Sequence, residues 1–145
     1  MSLAHSTVFA LIPAHDSERA KRWYEEKLGV QPVMDLGPAG LLYGTGQSQW
    51  LIYQTSFAGT GKHTIAGFLV DDIDATMREL RGNGVAFQEY AMGEEGPTTE
   101  NGVARDPDGG AAAWFTDSEG NIISITQLSP SMTATAVGAA SGDTT

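Results

Sequence analysis

Apolar and polar positions along this chain follow two periods, and the order in which those periods appear occurs twice. Residues 7–12 form an apolar run closed by Pro13, the pattern of a short buried strand. Asp16 stands where a helix N-cap belongs, and Glu18 falls in the first turn, where a carboxylate suits the helix dipole. Ala20, Trp23, Tyr24 and Leu28 then recur at helical spacing and Gly29 offers a stop, which predicts a helix over 17–28. Three short strands are expected next, over 31–35, 40–43 and 49–55, with Gly44, Gly46 and Gln47-Ser48 between the later two. Gly59 and Gly61 mark 57–62 as a linker.

The second half restates the first. Residues 63–70 read as a strand, Asp72 as an N-cap, and Ile73, Thr76, Met77 and Leu80 as a helix stopped by Gly82-Asn83-Gly84. A strand over 85–90 and a long polar loop over 91–110 are expected to follow. Residues 111–127 then form two apolar runs around Asp117-Ser118-Glu119-Gly120. Asp and Ser bond their own backbone and Gly tolerates positive φ, so this stretch reads as a β-hairpin. Asp16, Glu18 and Arg22 match Asp72, Asp74 and Arg78 at an offset of 56, and Gly29-Val30 matches Gly84-Val85 at 55. With the matching element order, these offsets describe an internal repeat. The predicted class is α+β: two βαβββ modules, about 5–57 and about 62–128, in one domain over 1–128. Residues 129–145 are rich in Ala, Thr, Ser and Gly and read as a flexible tail.

Composition narrows the function classes. Eighteen acidic against eight basic residues give a net charge of −10, which opposes nucleic acid and anionic membranes as partners. The absence of cysteine excludes disulfides, a thiolate nucleophile and Cys-type zinc sites. No apolar run reaches spanning length and no signal peptide is legible at the start, so a cytoplasmic protein is the expectation. Gly44-Thr45-Gly46 and Gly59-Thr60-Gly61 lack the Lys-Ser/Thr ending of a phosphate loop, and no serine-nucleophile motif occurs.

The most specific string is Trp114-Phe115-Thr116-Asp117-Ser118-Glu119-Gly120-Asn121. It resembles the Trp-Phe-x-Asp-Pro-x-Gly-Asn hairpin of the vicinal oxygen chelate superfamily, with Ser118 in place of proline. The Asp16-to-Gly29 helix, the Val70-Asp71-Asp72-Ile73 helix start and the doubled βαβββ order extend the resemblance over residues 8–127. It implies the glyoxalase/bleomycin resistance/dihydroxybiphenyl dioxygenase fold, with curved, mostly antiparallel sheets, a cavity enclosed by paired modules and a homodimer. Members include lyases, isomerases, dioxygenases and non-catalytic drug-binding proteins, so the fold alone chooses no activity.

Metal-dependent members of that superfamily place His, Glu or Gln ligands in the first and last strands of each module. By spacing, those positions are Phe9, Ile52, Ile65 and Ser124 here. Three have no donor atom and a lone hydroxyl is a poor ligand, so neither metal nor other cofactor is expected. Strand alternation around these positions adds Trp50, Gln54 and His63 to the expected cavity lining. Pairing across the turn adds Phe115 and packs Trp114 against a helix, a bulged turn would exchange the two, and Tyr90 leads into the long loop as a lid. His63 is the one inward candidate for acid–base work near neutral pH, with an exposed strand-end histidine as the competing reading. Asp71, Asp72 and Asp74 read as a capped helix start, since Asp16 and Glu18 repeat the pattern. The expected function is metal-independent binding of a small organic molecule, cationic or aromatic. The alternatives are a glyoxalase-like lyase or isomerase using His63 or a loop carboxylate, and a structural or regulatory domain whose cavity is filled by its own side chains.

Overall fold

The computed structural model describes residues 3–132, and the stretch expected as a tail falls almost entirely beyond them. The elements are β1 (Ala10–Ala14), α1 (Ser17–Trp23), β2 (Met34–Asp35), β3 (Leu41–Thr45), β4 (Ser48–Gln54), β5 (Thr64–Leu69), α2 (Ile73–Gly82), β6 (Val103–Arg105), β7 (Ala111–Thr116) and β8 (Ile122–Gln127). They form two four-stranded sheets of the same order, β1-β4-β3-β2 and β5-β8-β7-β6, which is the βαβββ repeat in three dimensions. In the first sheet β1 runs parallel to β4, and β3 antiparallel to β4. The class is α+β with mixed sheets, as the residue pattern predicts. The described residues divide into two compact units, 3–66 with 117–122, and 67–116 with 123–132.

Both helices begin as expected. The Asp16 carboxylate accepts from Arg19 N–H at 3.0 Å and that of Asp72 from Ala75 N–H at 3.0 Å. α1 continues into a wider π turn, Tyr24–Leu28, that ends on Gly29 at φ 71°. In the first unit Ile12, Leu41, Tyr43, Trp50 and Ile52 are buried together with Ala20 and Tyr24 of the helix. Tyr43 and Trp50 stack at 4.3 Å between ring centroids, and Tyr24 lies 5.7 Å from Trp50. In the second unit α2 buries Ile73, Met77 and Leu80, and the sheet buries Val103, Ala113, Phe115, Ile123 and Ile125.

The Tyr43 hydroxyl is the one buried side-chain polar atom without a hydrogen-bond partner among the described residues. Burial, then the nearby charges of Glu25 and Glu18, push it up to about 12, so it stays neutral. Removing an unpaired buried hydroxyl removes its desolvation penalty. Tyr43→Phe is therefore expected to leave stability unchanged or raise it by about 1 kcal/mol. Urea denaturation checks this, and a loss above about 1 kcal/mol would show that the hydroxyl has a partner.

Three sequence expectations change. Pro13 lies inside β1 rather than ending it, tolerated because β1 is the edge strand of its sheet and a missing N–H costs no ladder bond there. Residues 85–90 make only an isolated bridge, Phe87 with Phe115, rather than a strand. Within the expected loop, Asn101 at φ 55° and Gly102 at φ 82° make a two-residue turn. Glu100 and Val103 exchange backbone hydrogen bonds of 2.9 and 3.2 Å across it, and β6 follows. Two successive positive φ angles are what an Asn-Gly hairpin turn supplies.

Candidate functional site

Each sheet has a face turned to its helix and an open face. On β7 the helix-side residues are Ala111, Ala113 and Phe115. Phe115 meets Phe87 edge to face at 5.8 Å, and Arg81 of α2 lies 5.3 Å over the Phe87 ring. Period two then gives Ala112 and Trp114 to the open face. There they line a groove of about 530 Å³ with Ala104 of β6 and Thr126 of β8. Gly93, Pro97 and Thr98 from the preceding loop, and Leu128 and Met132 from the segment after β8, complete it.

The aromatic wall is held in place. Trp114 is half-buried and meets Tyr90 at 5.4 Å and 88°. Tyr90 donates its hydroxyl to Gln88 Oε1, and Gln88 Nε2 donates to Thr116 Oγ1. The Tyr90 N–H donates to Thr99 Oγ1 at 2.7 Å, and the Thr99 N–H returns a bond to Tyr90 O at 2.8 Å. The adjoining loop closes on itself through Met92 N–H to Pro97 O at 3.1 Å. Arg105 and Asp106 are the charged residues of the groove. A preformed aromatic wall with a few polar groups suits a flat organic molecule more than a small ion.

The structure disperses the residues expected to share one cavity. Phe9 precedes β1 and is 52% exposed, whereas Trp50 and Ile52 are buried. Ile12 pairs with Ile52, so Ile52 lies on the helix side of its sheet and Phe9, an odd number of residues from Ile12, on the other. Trp50 is thus a core residue: it stacks on Tyr43, and its Nε1–H donates to Thr45 Oγ1 at 2.9 Å. Gln54 accepts from Ser17 N–H at 3.3 Å and Ser17 Oγ–H at 3.1 Å, serving the start of α1. Phe115 belongs to the core and Trp114 to the open face. The Asp117 N–H bonds Asn121 O at 2.9 Å, so three residues close the turn instead of two. That extra residue shifts the register by one and exchanges the two aromatics.

Ser124 and Ile65 keep the open side of the second sheet. A Cβ at Gly67 would lie 2.4 Å from Ser124 Oγ, so these two share a face, and Ile65 is two residues along β5 from Gly67. Tyr90 stands at the groove through Trp114. His63 is exposed just before β5, packs beside Gly61, and has no hydrogen-bond or carboxylate partner among the described residues. A triad-type base is oriented by such a partner, and His63 lacks one among the described residues. Trp114 was discoverable from the hairpin once the loop length was known.

The metal of the superfamily's metal-dependent members does not fit. With Ile52 turned to the helix, the open-face positions nearest it are Leu51 and Tyr53. Together with Phe9, Ile65 and Ser124 they offer two hydroxyls and neither imidazole nor carboxylate. No group of three or more His, Asp or Glu able to hold a metal occurs among the described residues.

The turn between β7 and β8 carries the first unit's densest polar network. Asp117 accepts from Tyr24 Oη–H at 2.6 Å, Glu119 N–H at 2.8 Å, and the N–H and Nδ2–H of Asn121 at 3.0 Å each. Glu119, its side chain fully buried, takes two bonds of 2.9 Å from Arg19 and one of 3.0 Å from Asp16 N–H. Asn121 donates to Pro13 O at 2.7 Å and accepts from Gly59 N–H at 3.2 Å. Burial pushes the Tyr24 phenol well up, with the Asp117 charge adding to it. Every group here is partnered, so the network serves the fold and offers no free acid or base.

The comparisons agree with this architecture. The family profile of the Glyoxalase/Bleomycin resistance protein/Dioxygenase superfamily matches residues 3–125. No curated protein matches. Among solved structures, TnmS3, an antibiotic binding protein from Streptomyces sp. CB03234, is 24% identical with a TM-score of 0.58, over 86% of this chain and 98% of that one. Lactoylglutathione lyase from Agrobacterium tumefaciens is 15% identical at a TM-score of 0.61, over 84% and 93%. A glyoxalase/bleomycin resistance protein from Catenulispora acidiphila is 20% identical at 0.59, over 84% and 97%. At these identities the likeness is one of fold. No helix among the described residues is long and apolar enough to cross a membrane. With its doubled βαβββ order and its Trp114-to-Asn121 hairpin, the chain belongs to the Glyoxalase/Bleomycin resistance protein/Dioxygenase superfamily.

Proposed function

We propose that this protein binds a small, flat organic molecule in the open-face groove of the second sheet, without a metal. The observation that carries the reading is the groove itself: about 530 Å³, walled by Trp114 and bordered by the 93–98 loop. A ligand of one or two fused rings fits that volume and packs against the indole, which Tyr90 holds in a T-shaped contact. Asp106 in the groove lining offers a cationic ring substituent a partner, while the neighbouring Arg105 is engaged by Asp74. The fold is shared with an antibiotic binding protein and with a lactoylglutathione lyase, so the groove and not the fold carries the reading.

A second copy of the chain fits the exposed apolar residues of the first unit, where Val8 is 94%, Val33 61% and Leu11 52% exposed. Light scattering after size exclusion checks this; a monomer at about 50 μM would count against the homodimer.

The test is a thermal-shift and calorimetry screen over cationic aromatic compounds. Binding is expected to fall about tenfold or more in Trp114→Ala, the loss of one stacking anchor, and to survive in His63→Ala. Equal affinity in Trp114→Ala would remove the groove from consideration. The competing reading, a lyase or isomerase of the glyoxalase-like type, has Asp106 at the groove as its loop carboxylate. Turnover abolished by Asp106→Asn with binding retained would favour it.

A further inference from the structure

A second groove, of about 590 Å³, lies on the helix side of β6, between α2 and residues 98–105. Arg78 and Arg81 project into it from α2, and Arg105 faces them from β6. Three of the chain's eight basic residues thus converge on one groove of a protein with net charge −10. Two are already oriented. Arg81 donates to Asn101 O at 2.7 Å and lies 5.3 Å over the Phe87 ring, and Arg105 holds Asp74 at 2.5 Å. A guanidinium has five N–H donors, so each retains others for a ligand. Arg78, one turn from Asp74 and three residues from Arg81, is exposed, and its side chain has no hydrogen bond or ion pair among the described residues. Its natural helical partner, Asp74, is engaged by Arg105.

Like charges one helical turn apart repel, and the fold nevertheless holds them together. Asp74 pairs with Arg105 and the exposed Glu100 also lines the groove, so three arginines against two carboxylates leave it with a single net positive charge. At physiological ionic strength, charges beyond about 8 Å are largely screened, so the arginines rather than the acidic remainder set the local field. Planar forks held in advance lose little freedom on binding, and they match tetrahedral and carboxylate oxygens. We infer that the groove between α2 and residues 98–105 binds a dianionic group, with phosphate as its simplest form, on Arg78, Arg81 and Arg105. The site is separate from the aromatic groove: Arg105 and Thr98 border both, but Trp114 takes no part.

Inorganic phosphate, titrated into the full chain at constant ionic strength with chloride as balance, tests this by amide NMR. Saturable shifts confined to residues 73–82 and 98–105 are expected, with a dissociation constant on the order of millimolar. Arg78→Gln should weaken binding about tenfold, the loss of one charge-assisted contact, whereas Arg22→Gln on exposed α1 should not. Tighter binding of a sugar phosphate or of succinate would identify the source of the dianion, and either supports the site. Absence of saturation, or equal loss in Arg78→Gln and Arg22→Gln, overturns it. Neither result bears on Trp114, so the two sites stand or fall separately.

Discussion

Asp117→Ala should destabilise the protein by about 3–5 kcal/mol, a large share of the stability of a domain this size. Asp117 is 6% exposed and accepts four hydrogen bonds, from Tyr24 Oη, Glu119 N, and Asn121 N and Nδ2. Deleting the carboxylate leaves the donors around it without acceptors in a place water cannot reach, so the cost exceeds the worth of any one bond. Asp117→Asn keeps one oxygen and should lose less. The Tyr24→Phe variant separates the phenol's share, and a double-mutant cycle with Asp117→Ala should show coupling of about 1 kcal/mol or more. Denaturant unfolding of the five proteins, wild type included, reads all of this. An alanine variant within about 1 kcal/mol of wild type would mean that the turn is not the clasp described here.

Acid should release a second part of the same network. Burial alone would push the Glu119 carboxyl up. Hydrogen bonds from Arg19, Ser118 and Asp16 N–H, with the Arg19 charge, outweigh it and bring the carboxyl to about 2 from 4.5. A carboxyl whose folded value lies below its unfolded value stabilises the fold fully above about 4.5. That contribution is lost as the pH falls toward about 2. With Arg19 half-exposed the contribution is discounted to on the order of 2 kcal/mol. The stability gap between wild type and Glu119→Gln should therefore narrow by that amount between about pH 6 and about pH 2.5. Both proteins lose other carboxylates over that range, and the difference cancels them. A gap that does not change with pH would sink the assignment.

Much of the fold is readable from local pattern because local physics decides it. Asp16 and Asp72 cap helices wherever they stand before a helical period, and Gly29 ends one because only a residue tolerant of positive φ does so cheaply. The Asn101-Gly102 turn is of the same kind. The Asn-Gly pair carries its signal, but the polar residues on either side give the stretch the pattern of a long loop. The binding face resisted such reading. In a strand one residue of register exchanges the two faces. Trp50, a large aromatic on a strand, looks equally suited to a pocket or a core, and only its stacking on Tyr43 beneath α1 decides for the core.

The hairpin at 111–127 shows where the division lies. Its residue types alone determine a turn at Asp117 to Gly120 and a strand on either side, and the family resemblance they carry puts Ser124 where metal-dependent members have a ligand. Those are properties of nearest neighbours and of side-chain chemistry, which no packing alters. Tertiary structure decided that Asp117 and Glu119 hold Tyr24 and Arg19, ninety or more residues away, and that three residues close the loop. It also decided, in consequence, that Trp114 and not Phe115 lines the groove. Partners distant in sequence leave no mark on local periodicity, and a strand's facing is settled by which side finds a helix to cover it.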